Sequence, residues 1–273
     1  MAQTLGDIKR LLAERRLRPK HRLGQNFLHD ANHMDRILAA ASLEPGDRVL
    51  EVGPGTGALT DRLLDAGAEV VAVELDSDLI PLLTERYAAQ DPGRFRLLHR
   101  DVLAGKHTIA PEVLAAVGDG PFKLIANLPY QIASPLLVNL CLHVPNMTRA
   151  VVMVQREVAD RLAATPADGK AYGPLSAVVQ NACRVETVSR LSAGCFWPAP
   201  KIGSAVSLLT RRPEPRFEPA EDFAAFVHRL FAARRKQLGG ILGPDTAWPA
   251  GVDRTLRPEN LTLDQIGALF GDA

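Results

Sequence analysis

The sequence is poor in several features that would each mark a class of protein. It has only three cysteines, Cys141, Cys183 and Cys195, and none of them forms a C-x-x-C pair. This argues against a disulfide scaffold or a zinc cluster and favours a reducing cytoplasm. No apolar run approaches the roughly 20 residues of a membrane span, so no membrane association is expected. The 273 residues, 47% of them apolar, suit one large core or a core with a small second domain.

Net charge is also nearly absent, but the charged residues are distributed unevenly. The whole chain carries a formal charge of +1. Residues 45–127 contain 8 basic and 13 acidic side chains, a net of −5, so the rest of the chain carries +6. Basic segments on both sides of an acidic centre suggest contact with a polyanion, although ordinary solvated surfaces explain the pattern about equally well.

The first 22 residues form a basic segment with seven lysines and arginines and two acidic residues. They contain no uninterrupted apolar stretch, so they do not predict a secretory signal. The acidic residues and the absence of serine argue against a mitochondrial presequence. The apolar residues of 5–12 recur at helical spacing, which predicts a short basic amphipathic helix.

Strand-like and helix-like segments alternate through the middle of the chain. This alternation predicts an α/β fold in which helices cover both faces of a parallel sheet. The predicted strands are residues 48–52, 69–75, 95–98, 122–126 and 150–155. The predicted helices among them are 58–66, 77–87 (capped by Asp76 or Ser77) and 134–143.

After about residue 167 the pattern changes, and a proline-rich break follows at residues 212–215. We therefore predict a domain of residues 1–212 with a basic N-terminal arm, and a small helical C-terminal domain of residues 213–273. The predicted elements of this part are a helix at 175–181, extended segments at 185–189 and 204–210, and helices at 220–238 and 262–270.

A glycine-rich turn follows the first predicted strand. Gly53, Gly55 and Gly57 allow a tight turn and let a ligand lie against the main chain, although such a turn alone is often only packing. Glu74 ends the next strand, where an acid can accept hydrogen bonds from both ribose hydroxyls. Asp101 follows the third strand and could accept from an adenine amine. Together these residues predict an adenosine-type ligand.

The sequence Asn127-Leu128-Pro129-Tyr130 follows the fourth predicted strand. The Asn127 side-chain carbonyl and the Leu128 backbone carbonyl can each accept one hydrogen of an NH₂ group. Pro129 stiffens this segment, and Tyr130 offers a face on which a nucleobase can stack. Beside an adenosyl site, the motif predicts S-adenosylmethionine-dependent methylation of an exocyclic base amine, whereas the simpler interpretation is a strand end with a turn.

Other candidate contacts lie toward the C-terminus. Phe196 could stack opposite Tyr130, although aromatic residues between prolines often only brace a core. The seven histidines show no ligand spacing such as H-E-x-x-H, so no metal is predicted. The basic residues expected to reach RNA phosphates are Arg211, Arg212, Arg229, Arg234, Arg235 and Lys236.

Taken together, these motifs resemble the family of small-subunit ribosomal RNA adenine dimethyltransferases. The combination of GQNFL, NLPY and FxPxPK is highly specific, whereas GxGxG alone is not. The matching segments run in order within about residues 5–242 and include HRLGQNFL (21–28), GPGTG (53–57), ANLPY (126–130), QREV (155–158), AYGPLS (171–176) and FWPAPK (196–201). The sequence departs from the family pattern at Gly203, usually Asp, and at Gly239-Gly240, usually polar helix formers, which weakens the predicted C-terminal helix.

The resemblance implies a Rossmann-like S-adenosylmethionine-dependent methyltransferase sheet with a small helical C-terminal domain. It implies dimethylation of two adjacent adenosines near the 3′ end of small-subunit rRNA, within a pre-ribosomal particle and by a cytoplasmic enzyme that need not be more than a monomer. Its implied contacts to the adenine are Asn127, Leu128 and Tyr130, with Phe196 opposite. Its implied contacts to S-adenosylmethionine are Asn26, Leu28, Gly53, Glu74, Asp101 and Asn127.

Three other functions compete with this interpretation. A large-subunit rRNA methyltransferase of the same fold is the nearest, but the long basic C-terminal part and residues 171–176 favour the small subunit. A non-catalytic rRNA-binding assembly factor is the second, but the intact glycines, Glu74, Asp101 and Asn127 argue against lost chemistry. A nicotinamide oxidoreductase is disfavoured by the glycine spacing and by the lack of a well-placed hydride-transfer acid.

Overall fold

The computed structural model describes residues 3–105 and 108–271. No helix in these two ranges is long and apolar enough to cross a membrane. The strands are β1 (Phe27–Leu28), β2 (Arg48–Val52), β3 (Glu69–Glu74), β4 (Phe95–His99), β5 (Phe122–Asn127), β6 (Met147–Gln155), β7 (Cys183–Leu191), β8 (Phe196–Trp197) and β9 (Ser204–Arg211). The helices are α1 (Leu5–Glu14), α2 (Ala31–Ala41), α3 (Ala58–Asp65), α4 (Ile80–Arg86), α5 (Pro111–Val117), α6 (Ala133–His143), α7 (Arg156–Ala163), α8 (Pro174–Ala182), α9 (Ala220–Ala232), α10 (Gly239–Leu242) and α11 (Leu263–Gly271).

Seven strands form one sheet in the order β4-β3-β2-β5-β6-β9-β7. The five strands from β4 to β6 are parallel, as the sequence predicts. The later extended segments join the same sheet, in which β9 pairs antiparallel with both β6 and β7. Strands β1 and β8 form a separate antiparallel pair, in which Leu28 lies opposite Phe196.

Helices cover both faces of the sheet, which confirms the prediction from the alternating segments. Successive side chains of a strand point to opposite faces. Leu124 therefore lies in one buried cluster with residues of α5 to α8, whereas its neighbour Ile125 lies in another with residues of α1 to α4. Both faces of the central strands are apolar for this reason, and the two clusters hold the sheet between two helical layers.

The strand order reverses at the centre of the sheet. The chain leaves β2 toward β3 on one side and later returns to β5 on the other side. Such a reversal opens a crevice at the carboxyl ends of the two central strands, where open α/β sheets bind ligands. The glycine-rich turn and the Asn127 motif follow β2 and β5, so the topology alone brings these two segments together.

The C-terminal helices pack on α8 through a third buried cluster. Phe223, Val227 and Leu230 of α9 share it with Tyr172 and Val178. Because residues from both sides of position 213 contribute to this core, the domain boundary stays a prediction.

Two predicted helix boundaries are wrong. Helix α9 ends at Ala232 rather than Leu238, because the backbone N–H groups of Leu238 and Gly239 donate to Leu256 and Arg254 at 2.8 Å instead of continuing the helix. Helix α4 begins at Ile80 rather than beside Asp76, which is held in a preceding turn where its Oδ1 accepts the Asp78 N–H at 3.1 Å.

We expect Gly267→Ala to destabilise the protein although alanine is the better helix former. A β-carbon at Gly267 would overlap the ring of Phe217, which is stacked on Phe223 at 5.1 Å between centroids. Overpacking of this kind typically lowers the unfolding free energy by about 1–3 kcal/mol. Urea denaturation of the variant and the wild type measures the difference. The matched control is Gly240→Ala, since no atom lies within 4 Å of that β-carbon position. Equal stability of the two variants would contradict the packing described here.

Candidate active site

A cavity that is partly open to solvent lies at the carboxyl ends of β2, β3 and β5. Its wall consists of the glycine-rich turn, residues 23–28 and residues 127–132. The predicted site residues that line it are Asn26, Leu28, Gly53, Gly55, Glu74, Asp101, Asn127, Leu128, Pro129 and Tyr130. Segments far apart in sequence therefore converge on one site, as the motifs suggest.

The glycine-rich turn is packed closely against its neighbours. Gly53 and Gly55 have φ angles of +72° and +62°, in the left-handed region that favours glycine. A β-carbon at Gly55 would come within 3.0 Å of the Phe27 ring, and one at Gly53 within 3.4 Å of Pro129. Gly57 instead lies outside the cavity wall, where it starts α3 with its carbonyl oxygen accepting the Tyr87 hydroxyl at 3.0 Å.

Glu74 presents a buried carboxyl group at the edge of the cavity. Its two oxygens accept backbone N–H groups, Oε1 from Asp76 at 2.8 Å and Oε2 from Gly55 at 3.3 Å. Burial raises the pKa of Glu74, and the hydrogen bonds from Asp76 and Gly55 oppose this shift without cancelling it. Asp101 is exposed, and its Oδ1 accepts the Leu103 N–H at 2.9 Å. Both acids are thus fixed by local backbone bonds at the ends of adjacent strands.

Glu51 is a second buried carboxyl in the cavity wall, and the sequence reasoning gave it no role. It is 1% exposed, and its Oε2 accepts the Thr60 hydroxyl at 2.6 Å. Burial raises the pKa of Glu51 to about 8. The signal that could have revealed it is an acid among the apolar residues Val49, Leu50 and Val52 of strand β2.

The N-terminal segment is fastened to the site by polar bonds that the sequence reasoning also missed. Gln25 donates from Nε2 to Asp76 Oδ2 at 2.7 Å, and Lys20 Nζ lies 2.5 Å from Asp76 Oδ1. Burial raises the pKa of Asp76, but the hydrogen bonds from Lys20 and Gln25 outweigh it and leave the pKa below its ordinary value. Nearer the N-terminus, Gln3 exchanges two hydrogen bonds of 2.9 Å with Thr56.

The side-chain amide of Asn127 is oriented by this same segment. Its Nδ2 donates to the backbone carbonyl of Asn26 at 2.9 Å, and Asn26 donates in turn to the carbonyl of Gly24 at 2.9 Å. Because a carbonyl can only accept, the amide nitrogen must face Asn26, and Oδ1 is left to accept from a ligand. The adjoining peptide is held by the Leu128 N–H, which donates to Met153 at 3.0 Å.

The two aromatic residues predicted to flank the target base differ in their exposure to the cavity. Tyr130 lines the cavity, and its hydroxyl lies 3.2 Å from Ser204 Oγ. Phe196 is only 3% exposed and lies in the buried cluster beneath the β1–β8 pair. Its position opposite Tyr130 across a bound base stays a prediction, since Phe196 is not among the residues of the cavity wall in this structure.

The predicted phosphate-binding residues divide into two groups. Three are engaged internally: Arg211 donates to the carbonyls of Leu140, Cys141, Val144 and Met147, Arg212 donates to Gln180, and Arg234 pairs with Glu259. For Arg211 the assignment is wrong, because its guanidinium caps the carbonyl groups at the end of α6. Arg229, Arg235 and Lys236 are exposed on and after α9.

Comparison with known proteins identifies the family. The family model described as ribosomal RNA adenine dimethylase matches residues 16–250. The chain belongs to this family. As its motifs suggest, this dimethylase uses S-adenosylmethionine as methyl donor.

Relatives of the dimethylase resemble it over nearly their whole length. A protein of Pseudomonas aeruginosa named ribosomal RNA small subunit methyltransferase A is 43% identical over 253 residues, covering 90% of this chain and 91% of the relative. A protein of Magnetococcus marinus with the same name is 42% identical, covering 97% and 95%.

Solved structures confirm the fold. A dimethyladenosine transferase from Plasmodium falciparum superposes with a TM-score of 0.72 at 24% identity, covering 89% of this chain and 95% of that one. The 23S rRNA methyltransferase ErmE superposes with a TM-score of 0.67 at 27% identity, covering 90% and 99%.

The residues of the dimethylase cavity suit an adenosyl donor. A fixed carboxyl at Glu74 and a second acid at Asp101 can accept from ribose hydroxyls and a base amine. Because Gly53 has no side chain, its main chain forms part of the cavity wall, and a ligand can lie directly against it.

We expect Glu51→Gln to change the pH dependence of stability. Glu51 keeps its proton in the folded chain up to about pH 8 but loses it near 4.5 when unfolded. Between these values the folded state binds the extra proton, so the unfolding free energy of the wild type falls as pH rises, by up to about 1.4 kcal/mol per unit. Glutamine does not titrate, so the variant gains stability relative to the wild type from about pH 5 to about pH 8 in urea titrations. The exposed control Glu112→Gln should give a pH profile of unfolding free energy parallel to that of the wild type between about pH 5 and about pH 8. A parallel profile for Glu51→Gln as well would contradict a buried, protonated Glu51.

Proposed function

We propose that this dimethylase methylates the exocyclic amines of two adjacent adenosines near the 3′ end of small-subunit rRNA, two methyl groups on each. The observation that carries this proposal is the Asn127 amide, whose nitrogen is bound by Asn26 and whose oxygen can accept from an amine in the cavity. The relatives named for the small ribosomal subunit, which match nine-tenths or more of the chain, support the choice of rRNA.

The cofactor contributes a methyl group activated by its positive sulfur. Around it, Glu74 would accept from the ribose hydroxyls and Asp101 from the adenine amine, while Asn26 and Leu28 close the wall from the N-terminal side. The protein residues therefore bind and align, and alignment of this kind is worth roughly 7–11 kcal/mol of barrier in favourable cases.

The Asn127 and Leu128 oxygens would hold the target amine. An amine conjugated to a purine is a weak nucleophile, because its lone pair is delocalised into the ring. Two acceptors that bind its hydrogens favour a more tetrahedral nitrogen and stabilise the positive charge that grows on it as the new bond forms. No strong base is needed, since the methylated nitrogen is acidic and releases its proton to water. For the second methyl group one of these hydrogens is gone, so the second transfer uses a rotated amine or a looser clamp.

The target base must first leave its stack, which costs a few kcal/mol and less in a loop. Tyr130 lies at the cavity and would provide the stacking face. Phe196 could add the opposite face only after the β1–β8 pair moves, because its ring is buried. The exposed side chains of Arg229, Arg235 and Lys236 would bind the flanking phosphates.

We also propose that the enzyme acts as a monomer on a pre-ribosomal particle in the cytoplasm, through a catalytic domain of residues 1–212 and a helical domain of residues 213–273. All three cysteines are free, which suits a reducing compartment. The RNA-facing arginines lie after residue 213, whereas the cavity lies within the first domain.

A large-subunit rRNA substrate is the second candidate, favoured by the likeness to the 23S rRNA methyltransferase ErmE. Incubation of the enzyme with methyl-labelled cofactor and purified small or large subunits distinguishes the two. Label in the small subunit, mapped by mass to two adjacent adenosines, is the expected result. Label only in the large subunit supports the second candidate, and no label in either supports a non-catalytic assembly factor.

We expect Asn127→Ala to lower the rate of methyl transfer by about 10²–10³-fold, because one of the two acceptor oxygens is lost. Cofactor affinity, measured by calorimetry, should fall by less than about tenfold, since one hydrogen bond at most is removed. Asn146→Ala is the matched control, because that amide binds Gly118 and Gly120, residues outside the cavity wall. Wild-type rates in Asn127→Ala would exclude the amine clamp.

We expect Glu74→Ala to weaken cofactor binding by about 10- to 100-fold or more, because hydrogen bonds from two hydroxyls to a carboxylate are lost. Calorimetry measures the dissociation constant directly. Glu69→Ala, at the opposite end of β3, should leave it unchanged. An unaltered dissociation constant in Glu74→Ala would show that Glu74 does not bind the ribose.

A further inference from the structure

A second group of reactive side chains lies beside the cavity, on residues that the catalytic proposal does not use. Asp30, His33 and Cys195 each offer one potential metal ligand, and these atoms all lie within 4.8 Å of one another. Asp30 and His33 belong to the start of α2, whereas Cys195 lies 165 positions later in the short turn before β8. Because only folding brings these three residues together, the group could not be predicted from their spacing in the sequence.

The oxygen of Asp30 and the sulfur of Cys195 are spaced for a shared metal. Asp30 caps α2, and its Oδ1 accepts the His33 backbone N–H at 3.0 Å. Its other oxygen, Oδ2, lies 3.8 Å from Cys195 Sγ. Bonds of about 2.0 Å to oxygen and 2.3 Å to sulfur at a tetrahedral zinc ion place two ligand atoms about 3.5 Å apart. For this pair a shift of a few tenths of an ångström would suffice, whereas the ligand nitrogen of His33 lies within 4.8 Å of both atoms and would have to approach them further.

The imidazole of His33 supplies an independent observation. Its Nδ1 is buried and has no hydrogen-bond partner among residues 3–105 and 108–271. Buried polar atoms are nearly always paired, and one that is not requires an explanation. One ring nitrogen of His33 lies within 4.8 Å of the Asp30 oxygen and the Cys195 sulfur, and coordination through Nδ1 would satisfy the unpaired atom.

We propose that Asp30, His33 and Cys195 form a binding site for a divalent transition metal of the zinc class. Thiolate, imidazole and carboxylate are the three ligand types that zinc takes from proteins, and three such ligands leave a fourth position to water. The thiolate disfavours calcium and magnesium, which prefer oxygen ligands. Binding requires the Cys195 thiol to release its proton, and the carboxylate and thiolate together then balance the charge of the ion.

The metal would act on the mouth of the catalytic cavity. It would join α2 to the turn before β8, and β8 pairs with β1 through Phe196 and Leu28. Leu28 and Met34 both line the cavity. A metal at this place would fix the β1–β8 pair relative to the cavity wall, and so restrain the segment that carries Phe196.

Cobalt titration of the chelator-treated full chain tests this site without any need for activity. Thiolate coordination to Co²⁺ gives a charge-transfer absorption band, which we expect to saturate at one equivalent and to disappear on addition of Zn²⁺. We expect Cys195→Ser to abolish the band and His33→Gln to weaken binding at least tenfold. Asp30→Asn should also weaken it at least tenfold, although asparagine caps a helix as well as aspartate does.

Two control variants alter a histidine and a cysteine outside the proposed metal site. His228→Gln, on the exposed face of α9, and Cys141→Ser should bind Co²⁺ as the wild type does, with circular dichroism showing that each variant is folded. Zn²⁺ should raise the melting temperature of the wild type and of these controls, but not of Cys195→Ser. A band that persists in Cys195→Ser would assign the metal to Cys141 and Cys183, whose sulfurs lie 3.7 Å apart, and would overturn the proposal. Binding without a thiolate band, or no binding, would overturn it equally.

Discussion

The hydrogen bond from Asn127 Nδ2 to the Asn26 carbonyl joins the end of the central strand β5 to the N-terminal segment at the cavity. Asn127 ends the central strand β5, whereas Asn26 lies in an N-terminal segment outside the main sheet. This bond decides which atom of the amide is left for a substrate. It forms only while the N-terminal segment is in place, and that segment is held by Lys20 and Gln25 on Asp76. The amine clamp thus depends on contacts far from the reacting atoms.

Two buried carboxyl groups in one cavity differ in the hydrogen bonds that oppose the effect of burial on their pKa values. Glu74 accepts two backbone N–H groups, which favour the ionised form and oppose the effect of burial. Glu51 accepts one hydroxyl and stays protonated up to about pH 8 because burial dominates. Burial therefore raises the pKa of both carboxyls, and of the two only Glu74 has backbone N–H groups that oppose the shift.

Local sequence patterns predicted what is local in the structure. The run at residues 48–52 matches β2, and the glycine-rich turn and the Asn127 motif reach the cavity because parallel strands end on the same side. Contacts between segments that are distant in the sequence could not be predicted from these local patterns. The antiparallel pairing of β9, the burial of Phe196 and the capping of α6 by Arg211 each depend on a partner that no periodicity specifies.

In the proposed reaction, the carbonyl oxygens of Asn127 and Leu128 accept hydrogen bonds from the amine of an unstacked adenine at the carboxyl end of the central strand β5. The most direct measurement is a crystal structure of the full chain with the demethylated cofactor product and an rRNA fragment that contains the two adenosines. The account predicts the exocyclic nitrogen within about 3.2 Å of both oxygens, with Asn127 Nδ2 still bound to Asn26. An amide rotated so that its nitrogen faces the purine, or a base seated elsewhere, would contradict it.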